Sequence, residues 1–193
     1  SEVRKSGLVA DDVLILSQPL GIGTLFAAHM QGKAEGRHIE AAINAMQQSS
    51  RRAAEIFLAH DVHGMTDVTG FGLAGHLGEM LVASKKAAEI CLTSIPALPG
   101  AIQIISTEGI TSTLHDSNRQ NALMLLNPLR SEDLNSAARY ELLFDPQTAG
   151  GLLAGISMDK ADGCLAALKL AGYDASIIGK VTSGPAMISL QAD

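Results

Sequence analysis

The sequence predicts an α+β domain: a mixed or antiparallel sheet with helices packed on it. Three observations lead there. Short apolar runs closed by Gly or Pro alternate with longer stretches of helical composition. The last two runs, 175–181 and 186–190, are close enough to form a hairpin, which a purely parallel sheet would not contain. No fixed-period repeat and no low-complexity linker divides the chain, so residues 1–193 read as a single domain.

Taken in order, residues 12–20 (DVLILSQPL) form a compact apolar run ended by Pro19 and Gly21, the pattern of a buried strand. Residues 21–31 have helical composition. A longer helix is expected over 36–60, where Ile39, Ile43, Met46, Ala53, Ile56 and Phe57 keep roughly to one face. A Gly-rich turn over 65–72 leads into a helix over 73–86, and 88–95 (AEICLTSI) reads as a strand followed by Pro96 and Pro99. The polar stretch 106–121 is the most loop-like part of the chain. After the short apolar run 140–144 come a strand over 152–156, a helix over 159–172 closed by Gly172, and the two terminal strands.

Composition narrows the function. Apolar residues make up 47% of the chain, enough for a sizeable core, and aromatics only 3%, so that core is built from Ala, Leu, Ile, Val and Met. Fourteen basic against twenty acidic side chains leave a net charge of −6 without a basic tract, and together with the scarcity of aromatic rings this argues against a nucleic-acid partner. No apolar run reaches the roughly 18–20 residues that span a bilayer, and the opening SEVRK lacks a signal-peptide core. Cys91 and Cys164, far apart in apolar surroundings, read as small buried hydrophobes in a reducing compartment. A cytoplasmic protein without membrane contact is expected. The absence of an initial Met and the early first strand suggest a piece of a longer chain.

The turn TDVTGFG (66–72) is the most informative segment. It places one carboxylate, Asp67, two hydroxyls, Thr66 and Thr69, and two glycines, Gly70 and Gly72, directly before a helix. Glycines let a backbone approach a ligand, a helix N-terminus favours phosphate, and Asp67 can hold a hard cation such as Mg²⁺ that bridges phosphate oxygens. The same pattern also serves as a plain turn with Asp67 or Thr69 capping the helix, worth about 1 kcal/mol. No Gly-Lys-Ser/Thr follows, so this is not a Walker loop. One carboxylate does not complete a magnesium site, and the only other acid close by is Asp61, so further ligands have to come from elsewhere.

A second loop, DPQTAGG (145–151), reads either as a tight structural connection or as a second backbone-rich surface near the first turn. His60 and His63, three apart, offer a weak zinc pair; His60 at a helix end is ordinarily a dipole partner. His76, one turn into the next helix, faces either the turn or the core. Neither cysteine has an adjacent base, and no nucleophile is evident.

These two loops carry a resemblance. TDVTGFG followed by Gly75-His76-Leu77, and DPQTAGG followed by Leu152-Leu153, resemble the second-domain signatures of selenophosphate synthetase (selenide, water dikinase), a member of the aminoimidazole ribonucleotide synthetase superfamily. Asp12-Val13-Leu14-Ile15-Leu16 with Pro19-Leu20-Gly21 and Gly23, and Ile95-Pro96 with Leu98-Pro99-Gly100, are similar too, so the likeness runs in order over nearly the whole chain. It implies an enzyme that converts ATP, selenide and water to selenophosphate, AMP and orthophosphate with Mg²⁺, and that dimerises when full length. The chain is then the C-terminal domain, inactive alone. The nucleophilic Cys or selenocysteine, the essential Lys and the other metal-binding aspartates belong to an N-terminal domain absent from this sequence. Asp67 carries over as a magnesium ligand facing the nucleotide phosphates, with Thr66, Thr69, Gly70 and Gly72 close to them. The sequence departs at Ala149, where the family commonly has Ser, and residues 112–121 fit only loosely and receive no role. Rival readings are a sibling ATP-dependent ligase or thiamine-phosphate kinase, and a stand-alone nucleotide- or metal-binding module.

Overall fold

The computed structural model describes residues 4–127 and 134–191; Ser1, Glu2 and Val3 of the polar opening lie outside this range. Seven strands form one mixed sheet: β1 (Val13–Leu16), β2 (Gly64–Asp67), β3 (Ala87–Cys91), β4 (Leu126–Asn127), β5 (Leu152–Ile156), β6 (Ser176–Thr182) and β7 (Ile188–Gln191), in the order β2-β5-β1-β6-β3-β7-β4. The helices are α1 (Ile22–Met30), α2 (Gly36–Gln47), α3 (Arg51–Ala59), α4 (Gly72–Ser84), α5 (Ala101–Glu108), α6 (His115–Ala122), α7 (Leu134–Leu142) and α8 (Met158–Leu170). The expected α+β architecture is the one observed.

The central strands are apolar on both faces because both faces are covered. Leu14 and Leu16 of β1 join Leu153 and α4 residues Leu73, Leu77, Met80 and Leu81 in one core. Ile15, one residue out of phase, packs in a second core with Ala154, Ile156, Phe57 of α3 and Cys164 of α8. A third cluster, built from α1, α2, α5 and α7 around Leu25, Ala42, Ala101 and Leu142, stands apart from the sheet. Among the described residues no helix is long and apolar enough to cross a membrane.

Several local expectations are revised. The single helix over 36–60 is two helices, broken where Gln48 turns extended (ψ 113). The break is imposed from outside: Tyr173 donates its hydroxyl to Ser49 O at 2.6 Å, and accepts from Ala53 N at 3.1 Å in the first turn of α3. The two pieces then serve different cores, Ile39 and Ala42 in the helical cluster, Ile56 and Phe57 under the sheet, and Ile43 is left exposed.

The terminal strands do not form a hairpin. β6 pairs antiparallel and β7 parallel with β3, which lies between them. The connection through Ser183, Gly184 and Pro185 crosses two strand spacings, roughly 10 Å, and Ala88 N donates to Met187 O at 2.9 Å as it does so. Residues 106–121 contain the end of α5 and most of α6 rather than a loop. Residues 65–67 of the expected turn belong to strand β2, leaving 68–71 to connect to α4. Cys164 is fully buried, as expected, but Cys91 is only half-buried.

Candidate functional site

The pairings Leu16↔Leu153 and Asp67↔Leu152 bring the C-terminal ends of β1 and β2 to the N-terminal end of β5. Three chain segments therefore meet at one end of the sheet: the run from Ser17 into α1, the turn after Asp67, and the loop before β5. Ser17 fastens the first to the third, donating its N–H to Leu152 O at 2.9 Å and accepting from Leu152 N at 2.8 Å.

The turn and the DPQTAGG loop form a single unit. Val68 N donates to Gly151 O at 2.9 Å, and Gln147 N donates to Thr69 O at 3.1 Å. Two glycines are required by this contact. A Cβ on Gly150 would stand 2.2 Å from Val68 O, and Gly72, with φ +71, has Leu143 O within 2.8 Å of where its Cβ would be. The loop is thus both a structural connection, joining α7 to β5, and a backbone-rich surface beside the first turn, which it carries.

Asp145 explains the loop's other end. Its fully buried carboxylate accepts from Gly23 N at 3.0 Å, Thr24 N at 2.7 Å, Thr24 Oγ1 at 2.8 Å and Gln147 Nε2 at 2.8 Å. These contacts satisfy first-turn N–H groups of α1 from 121 residues away. Burial pushes the carboxyl above its usual range, and the hydrogen bonds from Thr24 and Gln147 oppose that shift. Asp145 is a capping group, not a free ligand.

The individual site residues divide sharply by environment. Asp67 ends β2 with an exposed side chain, whereas Thr66 is buried and donates its hydroxyl to Asp67 O at 3.3 Å. Thr69 Oγ1 lies 3.1 Å from Nε2 of His76, which is 4% exposed. His76 therefore faces the turn from within the core. Burial lowers its pKa, and its Nδ1, 3.6 Å from Glu79 Oε2, has no hydrogen-bond partner. Gly70 O accepts from Asn118 Nδ2 at 2.8 Å.

The start of α4 offers less than a bare helix N-terminus. Gly72 N donates to Thr69 O at 3.1 Å and Ala74 N to Leu143 O at 2.9 Å, so two of its first N–H groups are already engaged. The free donors lie one step earlier: the N–H groups of Thr69, Gly70 and Phe71 have no hydrogen-bond partner among the described residues. Successive unpaired N–H groups of this kind suit an anion. A cleft of about 300 Å³ adjoins them, bordered by Gly23, Phe26, Gly70, Ser112 and Thr148.

The donor set near Asp67 suits a cation only in part. The carbonyls of Thr69 and Gly70 are engaged internally, and Asp61 pairs with Lys160 instead. Among the described residues no group of three or more His, Cys, Asp or Glu side chains could hold a metal ion. His60 and His63 do not converge: His60 Nδ1 lies 2.8 Å from Ile56 O and His63 Nδ1 2.7 Å from Asp12 Oδ1. What remains is one outward carboxylate beside unpaired amides, which fits a Mg²⁺ completed by phosphate oxygens, water and groups outside this chain. Sequence reasoning missed Asn118, whose segment looked like loop, and the capping role of Asp145. Only the Asp-Pro-Gln spacing hinted at the latter.

This end-of-sheet arrangement belongs to a defined class. Residues 9–189 match the family described as AIR synthase related protein, C-terminal domain, and the chain belongs to that family. Among curated relatives it is similar to a selenide, water dikinase of Rhizobium meliloti, 36% identical over 192 residues, covering 98% of this chain and 54% of the relative. One from Pelobacter propionicus is 34% identical over 187 residues, covering 95% and 52%. The chain thus spans about half the length of the curated relatives it matches. The same fold occurs in E. coli HypE, a hydrogenase maturation protein (TM-score 0.69, 18% identity, 98% of this chain and 48% of that one). It also occurs in a HypE solved in complex with ATP (0.65, 18%, 94% and 45%). Thiamine-monophosphate kinase from Stenotrophomonas maltophilia shares it as well (0.67, 16%, 99% and 53%).

Proposed function

We propose that this chain is the C-terminal half of a selenide, water dikinase, which makes selenophosphate, AMP and orthophosphate from ATP, selenide and water. The observation that carries the reading is the docked pair of loops: an exposed Asp67 and three unpaired amides held rigidly on the DPQTAGG backbone. The similarity to selenide, water dikinases along nearly the whole chain supports the choice of reaction. Likeness to an ATP-complexed HypE supports a nucleotide substrate.

In this reading Asp67 helps hold Mg²⁺ against the nucleotide phosphates. Bound there, the ion would neutralise charge developing on the phosphate oxygens. The N–H groups of Thr69, Gly70 and Phe71 donate to phosphate oxygens from a turn whose surroundings pack closely against neighbouring backbone at Gly150 and Gly72. Thr66 and His76 keep that backbone in place from the buried side. The remaining metal ligands, the nucleophile and a lysine come from an N-terminal half, and the full-length protein works as a homodimer.

The test uses the full-length protein. Phosphorus NMR follows ATP and Mg²⁺ with and without selenide. Selenide-dependent formation of AMP, orthophosphate and a selenophosphate resonance supports the reading. ATP consumption indifferent to selenide would instead assign a sibling kinase or ligase activity, which the shared fold of thiamine-monophosphate kinase makes the nearest alternative.

A further inference from the structure

Helix α6 is polar along most of its length: Asp116, Ser117, Arg119 and Gln120 are all exposed. Its inner face is formed by His115, Asn118 and Ala122, and Asn118 is only 5% exposed. Its side-chain amide has two N–H groups. Nδ2 donates to Gly70 O at 2.8 Å and to Phe144 O at 3.0 Å. One side chain thus grips the turn that follows Asp67 and the residue immediately before the capping carboxylate of Asp145.

The grip has a stereochemical consequence. A trans peptide is planar, with its C=O and N–H pointing to opposite sides. Fixing Gly70 O toward α6 therefore fixes the N–H of Phe71 away from it, and that N–H has no partner among the described residues. Glycine at position 70 has nothing within 4 Å of where a Cβ would stand, so packing does not set this peptide's orientation. The hydrogen bond from Asn118 does.

Asn118 is itself well held. On the same helix His115 places Nε2 3.0 Å from Glu141 Oε2 and stacks edge-on against Phe144 at 5.7 Å, and Ala122 is buried in the α4 core. The amide is presented from a helix anchored at both ends.

We infer that Asn118 is a positioning residue for phosphate binding, acting through the Gly70–Phe71 peptide. The inference rests on the proposed nucleotide site. It assigns to the polar stretch before β4 a role that neither its composition nor its resemblance suggested. Asn118 touches no substrate; it aims a backbone donor that does.

The test compares Asn118→Ala and Asn118→Asp with the parent in the full-length protein, measuring kcat and KM for Mg·ATP alongside thermal unfolding. Freeing the 70–71 peptide is expected to lower kcat by about 10- to 100-fold, because a misaimed donor costs most in the transition state. KM should move less than kcat, and both variants should remain folded at the assay temperature. A loss that only follows the unfolded fraction, or an unchanged kcat in a folded variant, overturns the inference. Should neither variant fold, the parent decides: the Phe71 amide resonance is expected to shift on adding Mg²⁺ with a non-hydrolysable ATP analogue, and an unmoved resonance overturns the role. Loss of turnover in Asp67→Asn with none in Asn118→Ala would sink this inference alone. Full turnover in both would sink the site reading beneath it.

Discussion

The imidazole of His76, buried in the α4 core, meets the hydroxyl of Thr69 at 3.1 Å, tying the helix to the turn that precedes it. Thr69→Val removes that partner and leaves Nε2 buried and unsatisfied. It should destabilise the domain by about 1–3 kcal/mol. His76→Leu removes both groups' need for each other, so the double variant should cost less than the sum of the singles by about 1 kcal/mol. Urea unfolding of the four proteins measures the coupling; strictly additive losses would show that the contact contributes nothing.

Two histidines give the domain a two-sided pH dependence. The carboxylates of Glu141, 3.0 Å from Nε2, and Asp116, 3.2 Å from Nδ1, raise the pKa of His115 above its ordinary 6.5. Its contribution is therefore complete below 6.5 and fades as the pH climbs through the raised value. Burial lowers the pKa of His76 below the same 6.5, so its contribution is complete above 6.5 and fades as the pH falls through the lowered value. Unfolding free energy measured between about pH 5.5 and 8.5 should lose its alkaline slope in His115→Gln and part of its acid slope in His76→Gln. Slopes untouched by either substitution would contradict the assignment.

Asp145 is predicted to be a stability residue. Asp145→Ala orphans the N–H and hydroxyl of Thr24 at the start of α1, leaves Gly23 N only its bond to Pro146 O, and should cost about 2–4 kcal/mol. Chemical denaturation checks this, and a loss under about 0.5 kcal/mol, the scale of an ordinary surface substitution, would refute the capping role.

Gly150→Ala forces a methyl group against the Val68 carbonyl, 2.2 Å from its ideal position, where only backbone movement gives relief. We expect a loss of more than about 2 kcal/mol. Gly36→Ala is the matched control. Nothing lies within 4 Å of that position at the start of α2, and the substitution should be neutral or stabilising by up to about 1 kcal/mol. Equal melting temperatures for the two variants would mean that the turn and loop are not packed as described.

The pattern of residues predicted β1, β5, α4 and α8 well because each buries a local apolar signature in its own layer. It misjudged elements whose fate is set at long range. The break between α2 and α3 depends on Tyr173, 120 residues from Ala53. The separation of β6 from β7 depends on β3 entering between them, which no local spacing records. At the candidate site, the Gly-rich turn after Asp67 was legible because a turn with a glycine at positive φ, here Gly72, leaves a local mark in sequence. Asn118 and the inward turn of His76 were not, since a polar residue on a polar helix looks the same whether it faces water or a carbonyl.

In the proposed function Asp67 supplies a metal ligand to a nucleotide site shared with another half of the protein. The most direct test of that role is the rate of Mg²⁺-dependent ATP turnover by Asp67→Asn in the full-length protein, beside the parent and with thermal unfolding as a fold control. Asn preserves the shape and removes the charge. Turnover is expected to fall by at least about 100-fold with the unfolding temperature unchanged. Turnover at the parental rate, with the parental Mg²⁺ requirement, would contradict that role.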